Sequence, residues 1–158
     1  MEQQLSAPER VRAALESAGI SVEVRSFDAS TRTAQDAANA IGTTVGQIVK
    51  SLVFISGDHP VLALVSGSNQ VDLGRLGALT DGTIRKADAA AVRQATGYAI
   101  GGVPPFGFPS PLPTFIDRDL LQFADVWAAA GTPNHVFKAT PTELVRITGG
   151  AVVDLKSA

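Results

Sequence analysis

The sequence predicts an α+β fold: a mixed, mainly antiparallel sheet with helices set around it. Three observations support this. Apolar, β-prone runs come in pairs joined by turn residues, as in Val49–Ile55 with Val61–Val65, and Val126–Ala130 with His135–Ala139. Short capped helical segments fall between the pairs. No regular βαβ alternation, internal repeat, heptad or low-complexity tract runs through the chain, which argues against a doubly wound parallel sheet. The 158 residues fit one domain spanning 1–158. At that length a single core can cover roughly 70% of the surface of the unfolded chain.

Ser6-Ala7-Pro8-Glu9 is a capping box, and Val11, Ala14, Leu15 and Ala18 follow at helical spacing before Gly19. This predicts a helix over about 7–18. Val22, Val24 and Ser26 alternate with Glu23 and Arg25, which predicts a strand with one wet face. Thr33 and Asp36 repeat the capping pattern, and Ala34, Ala37, Ala38 and Ile41 form a stripe closed by Gly42. Thr44–Ile48 reads as one more helical turn. The pair Val49–Ile55 and Val61–Val65 then predicts a hairpin with the four-residue loop Gly57-Asp58-His59-Pro60.

Asp72 caps a helix carrying Leu73, Leu76 and Leu79, which Gly74 and Gly77 weaken. Thr83–Lys86 is a short strand, and Asp88 caps a helix that ends at Gly97. Pro109, Pro111 and Pro113 keep the next stretch irregular. Thr114–Asp117 is a strand, and Asp119-Leu120-Leu121 is a turn. Gly131-Thr132-Pro133-Asn134 joins the last hairpin. Thr140-Pro141-Thr142-Glu143 is a third capping box, with proline well placed at the first helical position. Gly149-Gly150 ends that helix, and Ala151–Asp154 is the last strand.

Composition excludes several chemistries. There is no cysteine, hence no disulfide, thiolate metal site or cysteine nucleophile. The two histidines, His59 and His135, make no multi-histidine zinc site, so neither metal nor cofactor is expected. A formal net charge of −2 argues against broad, charge-driven wrapping of nucleic acid, while leaving room for contact with one end of an RNA. No apolar run approaches ~20 residues, so no membrane partner is expected. Met1-Glu2-Gln3-Gln4 has no basic start leading into an apolar stretch, and the expected location is cytoplasmic.

Lys50 is the first candidate for chemistry. It sits among Ile48, Val49, Leu52 and Val53, where an ammonium must reach solvent, a cavity or a partner. It either snorkels at the sheet end or lines a pocket as a cation for a phosphate or carbonyl oxygen. The second candidate is Gly101-Gly102-Val103-Pro104-Pro105-Phe106-Gly107, a rigid loop by composition. Successive glycines can aim backbone N–H groups at one oxygen, or simply make a tight turn. No Lys-Ser/Thr follows, so it is not a phosphate-binding P-loop. His135, at a hairpin shoulder, can act as acid, base or donor, or be an ordinary surface histidine. His59 reads as a turn residue. Asp117 ends a strand, where a carboxylate can be functional or cap the next turn. There is no GxSxG nucleophile elbow.

Four stretches, in order, resemble the YbaK/ProX family, relatives of the editing domain of bacterial prolyl-tRNA synthetases. They are AANAIGTTVGQIVKSLVF (37–54), ADAAAVRQATGYAIGGVPPFG (87–107), LPTFIDRDLL (112–121) and VWAAAGTPNHVFKATPTELVRIT (126–148). The resemblance implies the family's partly barrel-like fold and a trans-acting aminoacyl-tRNA deacylase that hydrolyses the ester of a mischarged tRNA. It places Lys50 near the terminal adenosine and the aminoacyl group. It brings the Gly-Gly-x-x-Pro loop, with Gly101, Gly102, Val103 and Pro104, to the scissile carbonyl. Phe27, Ser51 and His135 would shape the amino-acid pocket. The expected partners are the 3′ acceptor end of aminoacyl-tRNA and an aminoacyl-tRNA synthetase. Ser51 stands where the cysteine-clearing branch usually has Thr. Ala129-Ala130-Gly131-Thr132-Pro133 also departs from that branch's Ser-Gly-Gly pattern, so Ala, Ser or Thr is expected rather than Cys. The rival expectation is a non-catalytic module that binds tRNA or a synthetase.

Overall fold

The computed structural model describes residues 5–20, 23–27, 33–80 and 82–157. Of the sequence expectations, those on Met1–Gln4 and Val22 lie outside these residues. In chain order the elements are α1 (Ala7–Ser17), β1 (Val24–Ser26), α2 (Ala34–Ile41), β2 (Ile48–Ser56), β3 (His59–Ser66), α3 (Leu73–Thr80), β4 (Ile84–Lys86), α4 (Ala89–Thr96), β5 (Thr114–Asp117), β6 (Val126–Ala129), β7 (His135–Ala139), α5 (Pro141–Thr148) and β8 (Ala151–Val153). Short 3₁₀ turns occupy Val45–Gln47 and Arg118–Gln122.

The helices begin where side chains can cap them. Ser6 with Glu9 and Thr140 with Glu143 form reciprocal capping boxes, and the Thr33 and Asp88 side chains accept from Asp36 and Ala91 backbone N–H groups. Asp72 accepts from the Arg75 amide at the start of α3. Gly42, Gly97 and Gly149 close α2, α4 and α5 in the left-handed conformation.

All eight strands join one sheet in the order β1-β7-β6-β2-β3-β5-β8, with β4 also pairing β2. The β1–β7, β6–β7, β2–β3 and β2–β4 pairs are antiparallel, and β2–β6, β3–β5 and β5–β8 are parallel. The expected mixed, mainly antiparallel sheet therefore forms. Its ends, β1 and β8, do not pair with each other among the described residues, so it is an open sheet that forks at β2.

One expectation is corrected at the β2–β3 turn. Pairing runs as far as Ser56 with His59, leaving only Gly57-Asp58 as the loop. His59 is thus an exposed first residue of β3 rather than a loop residue. A two-residue connection suits the twist of paired strands better than a wider loop.

The core lies on both faces of the sheet. Val49, Val53, Leu62 and Leu64 pack with Val11 and Leu15 of α1, Val92 of α4 and Leu144 of α5. On the opposite face Phe54, Val61 and Val65 pack with Leu76 of α3, and Ile48 and Trp127 with Ala37 and Ala38 of α2. β3 is central, with Leu62, Ala63, Leu64 and Val65 all at 0% exposure, so neither face of the strand can be polar. Leu64→Ala is expected to cost about 2–5 kcal/mol in denaturant unfolding. Leu121→Ala, whose side chain is 44% exposed, should stay within about 0.5 kcal/mol of wild type.

Candidate functional site

The site begins with a gap in the sheet. One edge of β2 pairs with β3 over its length, from Val49 to Ser56. The other edge has two partners that stop short of each other. β6 covers Ile48 and Val49, and β4 covers Phe54 to Ser56. Between them the backbone from Lys50 to Val53 has no strand beside it among the described residues. Both neighbouring chains peel away there: β4 runs through Ala87, whose N–H reaches the Val53 carbonyl at 3.4 Å, into α4, and β6 runs into the Gly131 turn.

The register decides which groups face the gap. Ile48 C=O accepts from Gly67 N–H at 2.7 Å, on the β3 side. Backbone groups alternate along a strand, so those of Val49, Ser51 and Val53 point the other way. Val49 is used by β6 and Val53 by Ala87, and Ser51 presents its backbone to the gap. The Ser51 hydroxyl is buried as well. It is the buried side-chain polar atom left without a hydrogen-bond partner among the described residues.

A cavity of about 680 Å³ occupies the gap. Lys50, Ser51, Gly101, Val103 and His135 all line it. Of the other residues singled out in the sequence, Gly102, Pro104 and Phe27 do not. Pro104 is buried. Phe27 packs against the α2–Trp127 cluster, with its backbone tied to Asn134: its N–H donates to the Asn134 carbonyl at 2.9 Å and its carbonyl accepts from Nδ2 at 3.0 Å.

The glycine loop roofs the cavity. Ala99 to Gly102 is a tight turn closed by Gly102 N–H donating to Ala99 C=O at 3.0 Å. Gly101 sits third in this turn with φ +92°, a conformation glycine adopts without strain. The Gly102 donor is spent on the turn, so the two glycine N–H groups do not converge on one oxygen. Gly102 is small for a different reason. A Cβ there would lie 2.6 Å from Gly131 O and 2.7 Å from Thr132 Cα. That contact closes the roof: Gly131 N–H donates to Gly102 C=O at 3.0 Å, locking the loop to the β6–β7 hairpin.

The loop's other end is braced from α1. Arg10 donates to Gly97 C=O at 3.3 Å, and its guanidinium lies 4.5 Å from the centre of the buried Tyr98 ring. Burial pushes the Tyr98 phenol above its ordinary pKa, against the opposing charge of Arg10. In the hairpin, His135 Nδ1 pairs with Thr132 Oγ1 at 2.6 Å. Asn134 N–H also donates to that oxygen.

Lys50 is half-buried and its Nζ donates to the backbone carbonyl of Asn69. Burial pulls the ammonium below the ordinary lysine range, and Asp117 pushes it back up. The cavity wall also holds Lys86 and carries no carboxylate among the described residues. Two lysines on an otherwise mostly apolar wall suit an oxygen-rich or anionic ligand. Sequence reasoning missed Lys86, Ile100 and Trp127 as lining residues and Asn69 as the Lys50 partner. Lys86 follows β-prone Ile84, but nothing in the sequence shows that β4 ends at the gap. No group of three or more His, Asp or Glu that could hold a metal exists among the described residues.

Three comparisons bear on this arrangement. The aminoacyl-tRNA editing domain family matches residues 28–147. An uncharacterized Bacillus subtilis (strain 168) protein, YwhH, is 32% identical over 123 residues, covering 77% of this chain and 78% of that protein. The proline–tRNA ligase of Thermoanaerobacter sp. (strain X514) is 25% identical over 115 residues, or 71% of this chain, which spans only 20% of the ligase. Among solved structures, a candidate trans-editing enzyme for prolyl-tRNA synthetase superposes with a TM-score of 0.93 at 50% identity. It covers 99% of this chain and 100% of its own.

Gly102→Ala is expected to separate the loop from the hairpin. It should cost about 1–3 kcal/mol in stability, and the Gly131 amide should exchange with solvent deuterium faster than in wild type.

Proposed function

The chain belongs to the aminoacyl-tRNA editing domain family, and from that membership we propose that it is a trans-acting deacylase for mischarged tRNA. Its site is the cavity at the bare edge of β2. The observation that carries this reading is the meeting there of Lys50, Ser51, the turn at Gly101 and His135, on a wall with two lysines and, among the described residues, no carboxylate. A chain with net charge −2 has little general affinity for RNA. A locally cationic cavity can still take one acceptor end.

The chemistry needs no protein nucleophile. Water attacks the carbonyl carbon of the aminoacyl ester. The carbonyl oxygen becomes an oxyanion, and the bond to the ribose oxygen then breaks. The attacking water loses a proton and the ribose oxygen gains one, leaving free amino acid and tRNA. Lys50 retains two N–H donors beyond the one used on Asn69. These hold an oxygen of the 3′-terminal nucleotide or of the ester. The backbone N–H of Gly101 is a loop donor available to the carbonyl. Charge stabilisation of this kind is worth about 10²–10³ in rate per donor.

The favoured amino acid is small, Ala, Ser or Thr rather than Cys. The unpartnered Ser51 hydroxyl supports a substrate side chain that can hydrogen-bond, because leaving it unpaired beside a methyl retains its desolvation cost. The expected location is cytoplasmic, where charged tRNA is used, and a prolyl-tRNA synthetase is the expected neighbour in the pathway. No helix among the described residues is long and apolar enough to cross a membrane.

Deacylation of a panel of mischarged tRNAs tests the reading. Wild type should clear a small amino acid, and Lys50→Ala should lower kcat/KM by on the order of 10². Equal clearance by the variant would remove Lys50 from the site. Ser51→Ala should shift discrimination between Ser and Ala esters toward Ala by about tenfold, the scale of one hydroxyl in a pocket.

A further inference from the structure

We propose that Asn69 is a positioning residue for Lys50. Its side chain clamps the loop after β3 to the Asp117–Asp119 turn, so that its own backbone carbonyl holds the lysine ammonium at the cavity wall. The inference rests on the reading of Lys50 as the cation that meets substrate.

The geometry has three parts. Lys50 Nζ donates to Asn69 C=O. The Asn69 side-chain amide donates to Asp117 Oδ2 at 2.8 Å and to Asp119 Oδ2 at 2.9 Å, which uses both of its hydrogens. Asp117 is 1% exposed and is held in turn by the Ser66 N–H at 3.0 Å and the Asp119 N–H at 3.0 Å. Asn69 is itself buried, and its N–H donates to Ser66 C=O at 2.9 Å. The residue that meets the lysine is thus fixed by its side chain as well as by its backbone.

Such a bracket has a chemical purpose. A carboxylate bonded straight to Lys50 would hold the ammonium in an ion pair and compete with substrate oxygens. A neutral carbonyl takes one N–H and leaves two donors and the full positive charge. The carboxylates stand one residue behind. There Asp117 raises the pKa of the half-buried amine against the larger pull of burial, while Lys156, 3.7 Å from Asp119, partly offsets the second acid. Among the described residues the other charged group on the cavity wall is Lys86 of β4. Asn69 bears none of the usual marks of a reactive residue, and its place in the site comes entirely from these contacts.

Two measurements test this. The first is a double-mutant cycle on deacylation of mischarged tRNA with Asn69→Ala and Lys50→Ala. A misplaced ammonium is expected to cost on the order of 10² in kcat/KM. If Asn69 acts through Lys50, its substitution should cost almost nothing further in the Lys50→Ala background. Independent losses that multiply would mean a structural role only and would overturn the proposal. If Asn69→Ala does not fold, Asp119→Ala removes one anchor at a partly exposed position and should give a smaller, equally Lys50-dependent loss.

The second measurement needs no activity: NMR titration of Lys50 after ¹³C-methylation of the lysines. Asp117→Asn removes the charge that raises the Lys50 pKa, so Lys50 should titrate at lower pH than in wild type. Methylation should report a Lys50 signal that changes in Asn69→Ala. A signal and titration indifferent to both substitutions would overturn the bracket. An inactive wild type, or one untouched by Lys50→Ala, would instead sink the deacylase reading and leave the titration to decide the bracket alone.

Discussion

The site depends on four residues of β2 that have a strand on one side only. A bare strand edge is normally a liability, because its N–H and C=O groups must find partners and will take them from another chain. Here the exposure is confined. β6 and β4 cover the two ends of the same edge, and the segment between them is four residues long. The chains that leave the gap then return over it: α4 leads to the Ala99–Gly102 turn, β6 leads to the Gly131 turn, and the two are joined by the Gly131–Gly102 hydrogen bond. Floor and roof of the cavity are therefore consequences of one pairing pattern.

That pattern also sets the electrostatics. A lysine on a strand with apolar neighbours loses solvation, and the amine is pulled below its usual pKa. Left alone, the ammonium would swing to bulk water. The Asn69 carbonyl keeps it at the wall, and Asp117 restores part of the preference for the charged form. The buried carboxylate is itself satisfied by two backbone N–H groups and an amide, the condition under which a buried charge is tolerated. The protein keeps a net negative charge overall, while the charged residues described on the cavity wall, Lys50 and Lys86, are both positive.

What was legible in the sequence was local. The capping boxes at Ser6 and Thr140 work within one helical turn, so their residues announce the helices they start. The β6–β7 hairpin was legible from Gly131-Thr132-Pro133-Asn134, because a short turn needs such residues. Lys50 stood out because charge in an apolar run is rare. The parallel pairing of β2 with β6 was not legible: it joins residues far apart in the chain, and neither strand's composition names its partner. Asn69 was invisible for the same reason, since it matters through contacts to residues 19, 48 and 50 positions away. Gly102 was legible as important but for the wrong reason. Its small size admits a neighbouring backbone, while its N–H is consumed by the turn. Phe27 and Pro104 were tied to the pocket by family likeness; Phe27 packs against residues of its wall, and Pro104 is buried without lining it.

The division of labour within the cavity follows from what each group can sense. In the proposed reaction a backbone N–H on the glycine turn and the ammonium of Lys50 would meet oxygens that every aminoacyl ester presents, and so promote hydrolysis without choosing among amino acids. Choice must come from side chains that meet the variable part. Most of that wall is aliphatic, Val49, Val53, Val92 and Val103 among them, and a methylene more or less against such a surface is worth only about 1–3 kcal/mol. A buried hydroxyl without a partner differs in kind. Ser51 already carries the cost of desolvation, and a substrate that hydrogen-bonds to it recovers that cost while one that cannot leaves it standing. In the proposed deacylase the residue beside the lysine would set selectivity and the lysine itself rate, although the two are adjacent on one strand and point to opposite faces of it.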